Sequence, residues 1–243
     1  EHFTYLAPQT VAEALDLLRE SRESGTTTMV MAGGTDVVPA LKRSGAQPGR
    51  ILHIGGLEEL RYIRREAGAL YIGAATTHAE LAASPFLLEE ASALALAAAN
   101  SAGPAVRNLA TIGGNLATAS PAGDVLLAVA ALEGWVVVRN ARGERRLTVT
   151  EFVMGMKQTA LADDELIVEV TIPLAEGARG SGFHKLGKRK AMAISTASAA
   201  ASVVLSADGA LFENVTVTLG SLGPTVIHSA GFEEALRGRP ATL

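Results

Sequence analysis

Two pairs of adjacent glycines, each beside small polar side chains, are the residues best suited to binding a ligand. The first pair lies in residues 33–36 (Gly-Gly-Thr-Asp), directly after the apolar residues 29–32, and the second lies in residues 111–115 (Thr-Ile-Gly-Gly-Asn). A glycine pair can bring bare backbone N–H groups close to a phosphate and can adopt a positive φ without a Cβ clash. One pair alone usually marks only a turn. Two such loops together predict a clamp that holds a diphosphate from both sides.

The composition bounds the class of protein. The 243 residues, of which 48% are apolar, are enough for one large or two medium domains with a substantial core. The formal net charge of −4 argues against a nucleic-acid or anionic-membrane partner. No apolar stretch reaches the roughly 18–20 residues that a membrane span needs, and no basic segment followed by an apolar one opens the chain. We therefore expect a cytoplasmic protein with no membrane span.

Several kinds of chemistry are excluded or disfavoured. The absence of cysteine excludes disulfides, thiolate metal sites and a cysteine-bound iron–sulfur cluster within this chain. The five histidines are scattered without metal-ligand spacing, so no metal site is predicted. The glycine loops match neither the Gly-x-Gly-x-x-Gly fingerprint nor a P-loop, and no Gly-x-Ser-x-Gly nucleophile motif occurs. A Rossmann fold, a P-loop NTPase and an α/β-hydrolase are accordingly disfavoured.

Charged residues near the loops have more than one interpretation. Asp36 and Asp124 could form a carboxylate pair for acid–base catalysis, but hydrogen bonding to a ribose hydroxyl or helix capping is simpler for each. Arg107 and Asn108 either bind the ligand or make a structural salt bridge or cap. A basic cluster follows later in the chain: Lys185, Lys188, Arg189 and Lys190. It is consistent either with a solvated strand and turn or with contact to an anionic cofactor or partner chain. No catalytic acid or base is predicted.

Periodicity and turn residues predict a mixed α and β chain. Helices are predicted at residues 10–21, 37–41, 84–100, 125–132 and 229–237, with shorter ones starting at 77 and 150. Strands are predicted at residues 27–32, 50–54, 60–65, 69–72, 135–140, 144–149, 166–173, 181–186, 195–205 and 215–220. Thr10 with Glu13, and Thr77 with Glu80, have the spacing of capping boxes. The pattern changes near residue 165, and the hairpin-like turns after it predict an antiparallel sheet that packs closely on the first part.

Three motifs taken together resemble the signature of one flavoprotein family. They are residues 32–36 (Ala-Gly-Gly-Thr-Asp), 110–115 (Ala-Thr-Ile-Gly-Gly-Asn) and 119–124 (Ala-Ser-Pro-Ala-Gly-Asp). Further matches lie at residues 3–14, 164–167, 172–173, 183–185 and 220–225. The chain resembles the FAD-binding medium subunit of the molybdenum hydroxylases, as in carbon monoxide, xanthine and nicotinate dehydrogenases. The resemblance covers nearly the whole sequence.

The resemblance implies an α+β fold with two parts. Residues 1–175 would form an FAD-binding domain of the vanillyl-alcohol-oxidase (PCMH) type, made of two α+β subdomains at about 1–55 and 56–175. Residues 176–243 would form a C-terminal α+β domain with an antiparallel sheet. Members of the family continue for several tens of residues past the position of Leu243, so this domain is expected to be incomplete at its C-terminus.

The resemblance also implies where FAD binds. Residues 29–36 and 111–115 would wrap the diphosphate from two sides, and Asp124 would bind the sugar or adenine end. Val37 and Ile194 fall where family members pack side chains against the isoalloxazine, whereas Ala193 replaces a frequent acidic residue. The complete set of expected FAD-binding residues is Met29, Val30, Met31, Ala32, Gly33, Gly34, Thr35, Asp36, Ser101, Thr111, Ile112, Gly113, Gly114, Asn115, Asp124, Ile167 and Lys185.

The implied function is electron transfer within a larger complex. Family members pass electrons from a molybdopterin centre on a large subunit, through two [2Fe–2S] clusters on a small subunit, to FAD and then to NAD⁺, a quinone or oxygen. The expected assembly is a dimer of heterotrimers. One alternative is a stand-alone flavin oxidoreductase of the same fold, and another is a non-catalytic nucleotide-binding protein. The sequence of this chain identifies neither the substrate nor the acceptor.

Overall fold

The computed structural model describes residues 3–44, 47–189 and 191–242. The strands are β1 (Thr4–Leu6), β2 (Thr28–Met31), β3 (Arg50–His53), β4 (Ile63–Glu66), β5 (Ala69–Gly73), β6 (Trp135–Asn140), β7 (Gly143–Thr148), β8 (Val153–Gly155), β9 (Gln158–Thr159), β10 (Leu166–Pro173), β11 (Arg179–Gly187), β12 (Ser195–Leu205), β13 (Phe212–Gly220) and β14 (Ile227–His228). The helices are α1 (Val11–Glu23), α2 (Val37–Ser44), α3 (His78–Ala83), α4 (Pro85–Glu90), α5 (Ser92–Asn100), α6 (Pro104–Arg107), α7 (Ile112–Thr118), α8 (Asp124–Ala131), α9 (Val149–Phe152) and α10 (Ala230–Leu236), with a 3₁₀ turn at Glu58–Leu60.

A small parallel sheet opens the chain. Its strand order is β1-β3-β2, and β3 pairs in parallel with both neighbours. Helix α1 contributes Leu15 and Leu18 to a core shared with Leu52 of β3. The Thr10 side chain caps α1, but the Glu13 carboxylate accepts from the backbone N–H of Gln9 rather than of Thr10. The predicted reciprocal capping box is therefore wrong at this helix, whereas the one of Thr77 and Glu80 is confirmed.

The second sheet is antiparallel, with strand order β4-β5-β10-β6-β7. Strand β10 lies in its middle and is buried along nearly its whole length. The change of pattern near residue 165 thus does not separate two sheets, because β10 belongs with the strands that precede it. The predicted hairpins of β4 with β5 and of β6 with β7 are confirmed.

The predicted single helix over residues 84–100 is wrong, because the segment forms two helices. Helix α4 begins at a Ser84 cap and ends at Ala91, whose φ of −144° and ψ of 48° are not helical. Helix α5 begins directly afterwards, where the backbone N–H of Ala93 donates to Ser181 Oγ of β11 at 3.0 Å. A contact with a strand almost ninety positions away therefore accompanies the break, and local sequence carries no sign of it.

The last sheet is antiparallel in the order β11-β12-β13-β14. The three strands predicted here are confirmed: β12 has the predicted bounds, β11 extends beyond both of its predicted ends, and β13 starts three residues earlier than predicted. Leu127 and Ala131 of α8 pack against Ala200 of β12, so the sheet covers the helix that follows the second glycine loop. Strands β8 and β9 form a separate hairpin.

Within the described ranges, no helix is long and apolar enough to cross a membrane.

Candidate functional site

The two glycine loops face each other across one cleft of about 240 Å³. The first loop connects β2 to α2, and the second connects α6 to α7. Fourteen residues line the cleft: Val30, Ala32, Gly33, Gly34, Thr35, Asp36, Val37, His78, Ala110, Thr111, Gly114, Asn115, Ala117 and Thr118. The loops are far apart in sequence, so their meeting at one cavity is a property of the fold.

The first loop needs its two glycines for different reasons. Gly34 has a φ of +71°, which favours glycine. Gly33 has no such φ, but a Cβ added there would lie 1.7 Å from the carbonyl oxygen of Leu109. Gly33 therefore permits the backbones of the two loops to touch, and this contact sets the width of the cleft.

The second glycine pair does not lie in a loop as predicted. Gly113 and Gly114 lie in the first turn of α7, and Thr111 caps that helix by accepting from the Gly114 N–H at 3.1 Å. Ile112 and Gly113 are buried and do not line the cleft, although Gly113 lines a smaller apolar slot beside it. A Cβ at Gly113 would meet Ala74 at 2.8 Å, so this glycine serves helix packing, and Gly114 is the one that lines the cleft.

Neutral donors and one carboxylate dominate the polar lining. The Thr118 hydroxyl lies 3.1 Å from an Asp36 carboxylate oxygen and 2.9 Å from the Gly114 carbonyl oxygen, so its one proton is shared between acceptors on the two loops. The Asn115 side chain accepts from the backbone N–H of Leu126 at 3.0 Å and thus supports the start of α8. The lining residues of the described chain include no lysine or arginine. The backbone N–H groups of residues 112–115 already donate within the protein. Phosphate oxygens in this cleft would therefore be held by backbone N–H groups of the first loop and by hydroxyls, and a sugar hydroxyl would suit Asp36.

His78 lines the cleft and was missed by the sequence analysis. It is the first residue of α3 and only 3% exposed, and its Nδ1 lies 2.6 Å from Ser101 Oγ. Burial lowers the pKa of His78 to about 4 and outweighs the opposing effects of the Thr111 carbonyl and Asp36, while Arg107 lowers the pKa further. The ring is neutral at pH 7. The capping box located the start of α3, but a lone histidine without ligand spacing gave no signal for the cleft.

The buried neutral His78 predicts an acid-sensitive fold. The unfolded chain binds a proton at His78 below pH 6.5 and the folded chain only below about 4, so stability falls as pH drops between these values. At pH 4.5 this group alone should remove about 2.5 kcal/mol of unfolding free energy relative to pH 7. This loss is measured by urea unfolding of the FAD-free wild-type protein and of the FAD-free His78→Asn variant at pH 7 and at pH 4.5. Equal losses in the two proteins would contradict the assignment.

An apolar slot of about 90 Å³ adjoins the cleft. It shares Val30, Ala32, Thr111, Gly114 and Ala117 with the cleft lining. Ile167, which is 4% exposed, and Leu166 of β10 form its far wall. The predicted site residue Ile167 is thus brought next to the glycine loops.

The predicted site residues Asp124 and Lys185 form a salt bridge with each other. Lys185 Nζ donates to Asp124 at 2.7 Å and to the Ala193 carbonyl at 3.1 Å. Ser195 donates to the other Asp124 oxygen at 2.6 Å. The side chains of Lys185 and Asp124 are 11% and 6% exposed. This buried pair ties the start of α8 to β11 and β12, and neither residue lines the cleft.

The remaining predicted residues lie beside or behind the cleft. Met29, Met31 and Ser101 are not among its lining residues, although Met31 packs next to Gly34 and Ser101 holds His78. Val37 lines the cleft, whereas Ile194 is 80% exposed.

The ambiguous basic residues have structural partners. Arg107 donates to the carbonyls of Ser101 and Ala102 at 3.1 and 3.0 Å. Arg189 donates to the Met192 carbonyl at 2.7 Å, and Lys188 is exposed. Lys190 lies outside the described residues. In the ranges that the structure covers, no group of acidic or histidine side chains could hold a metal ion.

Two family models match the chain. The model of the FAD binding domain in molybdopterin dehydrogenase matches residues 1–175, and the model of the CO dehydrogenase flavoprotein C-terminal domain matches residues 183–243. The chain belongs to this flavoprotein family. Its FAD-binding domain is of the type expected from the sequence, and its cofactor is FAD.

Related sequences align with almost the whole of this chain. The nicotinate dehydrogenase FAD-subunit of Eubacterium barkeri is 35% identical over 99% of this chain and 81% of its own length. The carbon monoxide dehydrogenase medium chain of Hydrogenophaga pseudoflava is 33% identical over 99% of this chain and 82% of its own length. Both relatives are components of dehydrogenases, and this chain is an oxidoreductase subunit of the same family.

Solved structures show the same fold. A chain of carbon monoxide dehydrogenase from Hydrogenophaga pseudoflava matches with a TM-score of 0.91 at 32% identity, over 100% of this chain and 82% of that one. A chain of quinoline 2-oxidoreductase from Pseudomonas putida 86 matches with a TM-score of 0.89 at 26% identity, over 100% and 82%. The α+β fold with a PCMH-type domain and a C-terminal antiparallel sheet is confirmed.

Proposed function

We propose that this chain carries FAD as the electron-transfer subunit of a molybdenum hydroxylase. In this proposal it accepts electrons from the [2Fe–2S] clusters of a small partner subunit and passes them to an external acceptor. The observation that supports it is the meeting of both glycine loops at one cleft in a chain of this family. Bound FAD would supply the redox chemistry, which the side chains of this protein lack.

The residues around the cleft would hold and orient the cofactor. The N–H groups of the first loop and the hydroxyl of Thr35 would bind the diphosphate, since the described lining offers no cationic side chain and the N–H groups of residues 112–115 already donate within the protein. The adenine would enter the apolar slot beside Ile167. Val37 and Ile194 fall where family members pack side chains against the isoalloxazine, so the 80% exposure of Ile194 would leave that part of the cofactor open to a redox partner. No side chain is assigned a role as acid or base.

The proposed partners are a large molybdopterin subunit and a small iron–sulfur subunit, in a dimer of heterotrimers. Support comes from the absence of cysteine, which leaves this chain without ligands for a cysteine-bound cluster of its own. The name "medium chain" of the Hydrogenophaga relative fits the same arrangement.

Purification of the tagged full-length protein from its own organism tests the proposal. We expect a complex with flavin absorbance that releases FAD on acid treatment, with two [2Fe–2S] clusters for each FAD and with molybdopterin. Reduction of the complex by its substrate should bleach the flavin bands. FAD in a chain that purifies alone, without clusters, would favour a stand-alone flavin oxidoreductase, and a colourless chain that fails to take up FAD would contradict the assigned cofactor.

A further inference from the structure

His78 is a buried polar group in the wall of the FAD cleft whose role the glycine loops do not explain. It lines the cleft together with Thr111 and Gly114, yet it is 3% exposed. Its backbone N–H donates to the Ala110 carbonyl at 2.8 Å, so the position of the residue is fixed relative to the second loop. The backbone of His78 is therefore held beside the second loop, at the edge of the cleft.

The contacts of Ser101 determine which ring nitrogen of His78 carries the proton. Ser101 Oγ lies 2.6 Å from His78 Nδ1 and 2.9 Å from the carbonyl oxygen of Ala98. A carbonyl only accepts, and the serine hydroxyl has a single proton to donate. Both contacts are hydrogen bonds only when Nδ1 carries the ring proton and donates to Ser101. In this tautomer Nε2 has a lone pair and no proton.

Nε2 has no hydrogen-bond partner among the described residues, although it is fully buried. A buried polar atom without a partner is costly and uncommon in folded proteins. Because Nδ1 is committed to Ser101, Nε2 is the ring nitrogen that remains for a molecule in the cleft. An acceptor lone pair repels phosphate oxygens and attracts a donor.

We propose that His78 is a further FAD-binding residue, whose Nε2 accepts a hydrogen bond from a sugar hydroxyl beside the diphosphate. Ser101 acts as the positioning residue that holds the ring in the accepting tautomer. The shared chemistry is a hydroxyl, which either the ribityl chain or the ribose of FAD can supply. The inference depends on the assignment of FAD to the cleft and adds the group that binds its polyol or ribose portion.

Two substitutions separate the two ring nitrogens. His78→Asn places an amide where Nδ1 lies, so it keeps the Ser101 contact and loses the ligand contact. His78→Gln places its amide near Nε2 and keeps an acceptor for the hydroxyl. We expect FAD to bind about tenfold more weakly to His78→Asn, the loss of one hydrogen bond, and within about threefold of wild type to His78→Gln. Titration of the FAD-free full-length protein, followed by flavin fluorescence, measures both.

Controls keep the outcomes distinct. His184→Asn changes an exposed histidine on β11 and should bind FAD as wild type does. Thermal unfolding of each FAD-free variant shows whether it is folded before titration. If wild type itself fails to bind FAD, the cofactor assignment is wrong. If wild type binds and His78→Asn binds equally well, or if both His78 variants lose the same affinity, only the present inference is overturned.

Two further measurements identify the hydroxyl and the tautomer. His78→Asn should weaken ADP binding as well if the donor is the ribose, and FAD binding alone if the donor is the ribityl chain. Nitrogen-15 NMR of the FAD complex at pH 7 should show a neutral His78 ring protonated at Nδ1. A doubly protonated ring would mean that Nε2 donates to a phosphate instead, and this would overturn the inference.

Discussion

Replacing Gly33 with alanine is expected to lower FAD affinity on the order of 100-fold, because the two loops can no longer touch. The new Cβ would lie 1.7 Å from the oxygen and 2.4 Å from the carbon of the Leu109 carbonyl. Both are backbone atoms, so no side chain can rotate away. The loops must separate by roughly an ångström or more to reach normal contact distances, and displacements of this size remove preorganised contacts. The overpacking should also cost about 1–3 kcal/mol of stability.

Gly56→Ala is the matched control for this substitution. Gly56 also belongs to a glycine pair after a strand, but a Cβ there has no atom within 4 Å and its φ is not positive. We expect this variant to bind FAD and to unfold as wild type does. Fluorescence titration with FAD and urea unfolding of the FAD-free proteins give the two readouts. Wild-type FAD affinity in Gly33→Ala would show that contact of the loops at Leu109 is not needed for the cofactor.

Many residues that line the candidate cleft were predictable, because the composition of each loop is a local property of the sequence. Each loop shows its glycines and small polar residues in a short segment after an apolar or helical run, and these segments do line one cleft. The individual roles within the segments were not predictable. Gly33 and Gly113 are required by close approach to Leu109 and Ala74, which are distant from them in sequence. The pattern therefore could not show that Gly113 serves packing alone at the cleft, whereas Gly33, Gly34 and Gly114 line it.

The helices and strands were predictable where the local sequence pattern determines them. They were less predictable where tertiary contacts determine the end of a helix or the sheet that a strand joins. The hairpins of β4 with β5 and β6 with β7 follow from alternating residues and tight turns. The segment of α4 and α5 has continuous helical character, yet a contact with Ser181 accompanies its break. Strand β10 is buried on both faces, and such an apolar run does not reveal which sheet it joins. His78 was not predicted as a site residue, because its burial beside Ser101 depends on tertiary contacts that the local sequence does not show.

The second large effect is expected at the buried pair of Lys185 and Asp124. Lys185→Met should lower the unfolding free energy of the FAD-free protein by about 3–5 kcal/mol, because it leaves the Asp124 carboxylate buried with Ser195 as its remaining partner. The pair joins α8 to the C-terminal sheet, so the loss should appear without cofactor. Lys188→Met, in the same segment but exposed, should change stability by less than about 1 kcal/mol.

The double variant Asp124→Asn/Lys185→Met distinguishes a structural pair from two separate FAD contacts. If the charges serve mainly each other, removing both should be less destabilising than removing Lys185 alone, since no unpaired charge remains buried. FAD affinity should then fall through displacement of the sheet and recover in part in the double variant. If both residues bind FAD directly, the FAD-free single variants should keep wild-type stability and the double variant should bind FAD most weakly. The exposure of only 11% and 6% for the two side chains favours the first outcome, because little of either charge is left to face a cofactor.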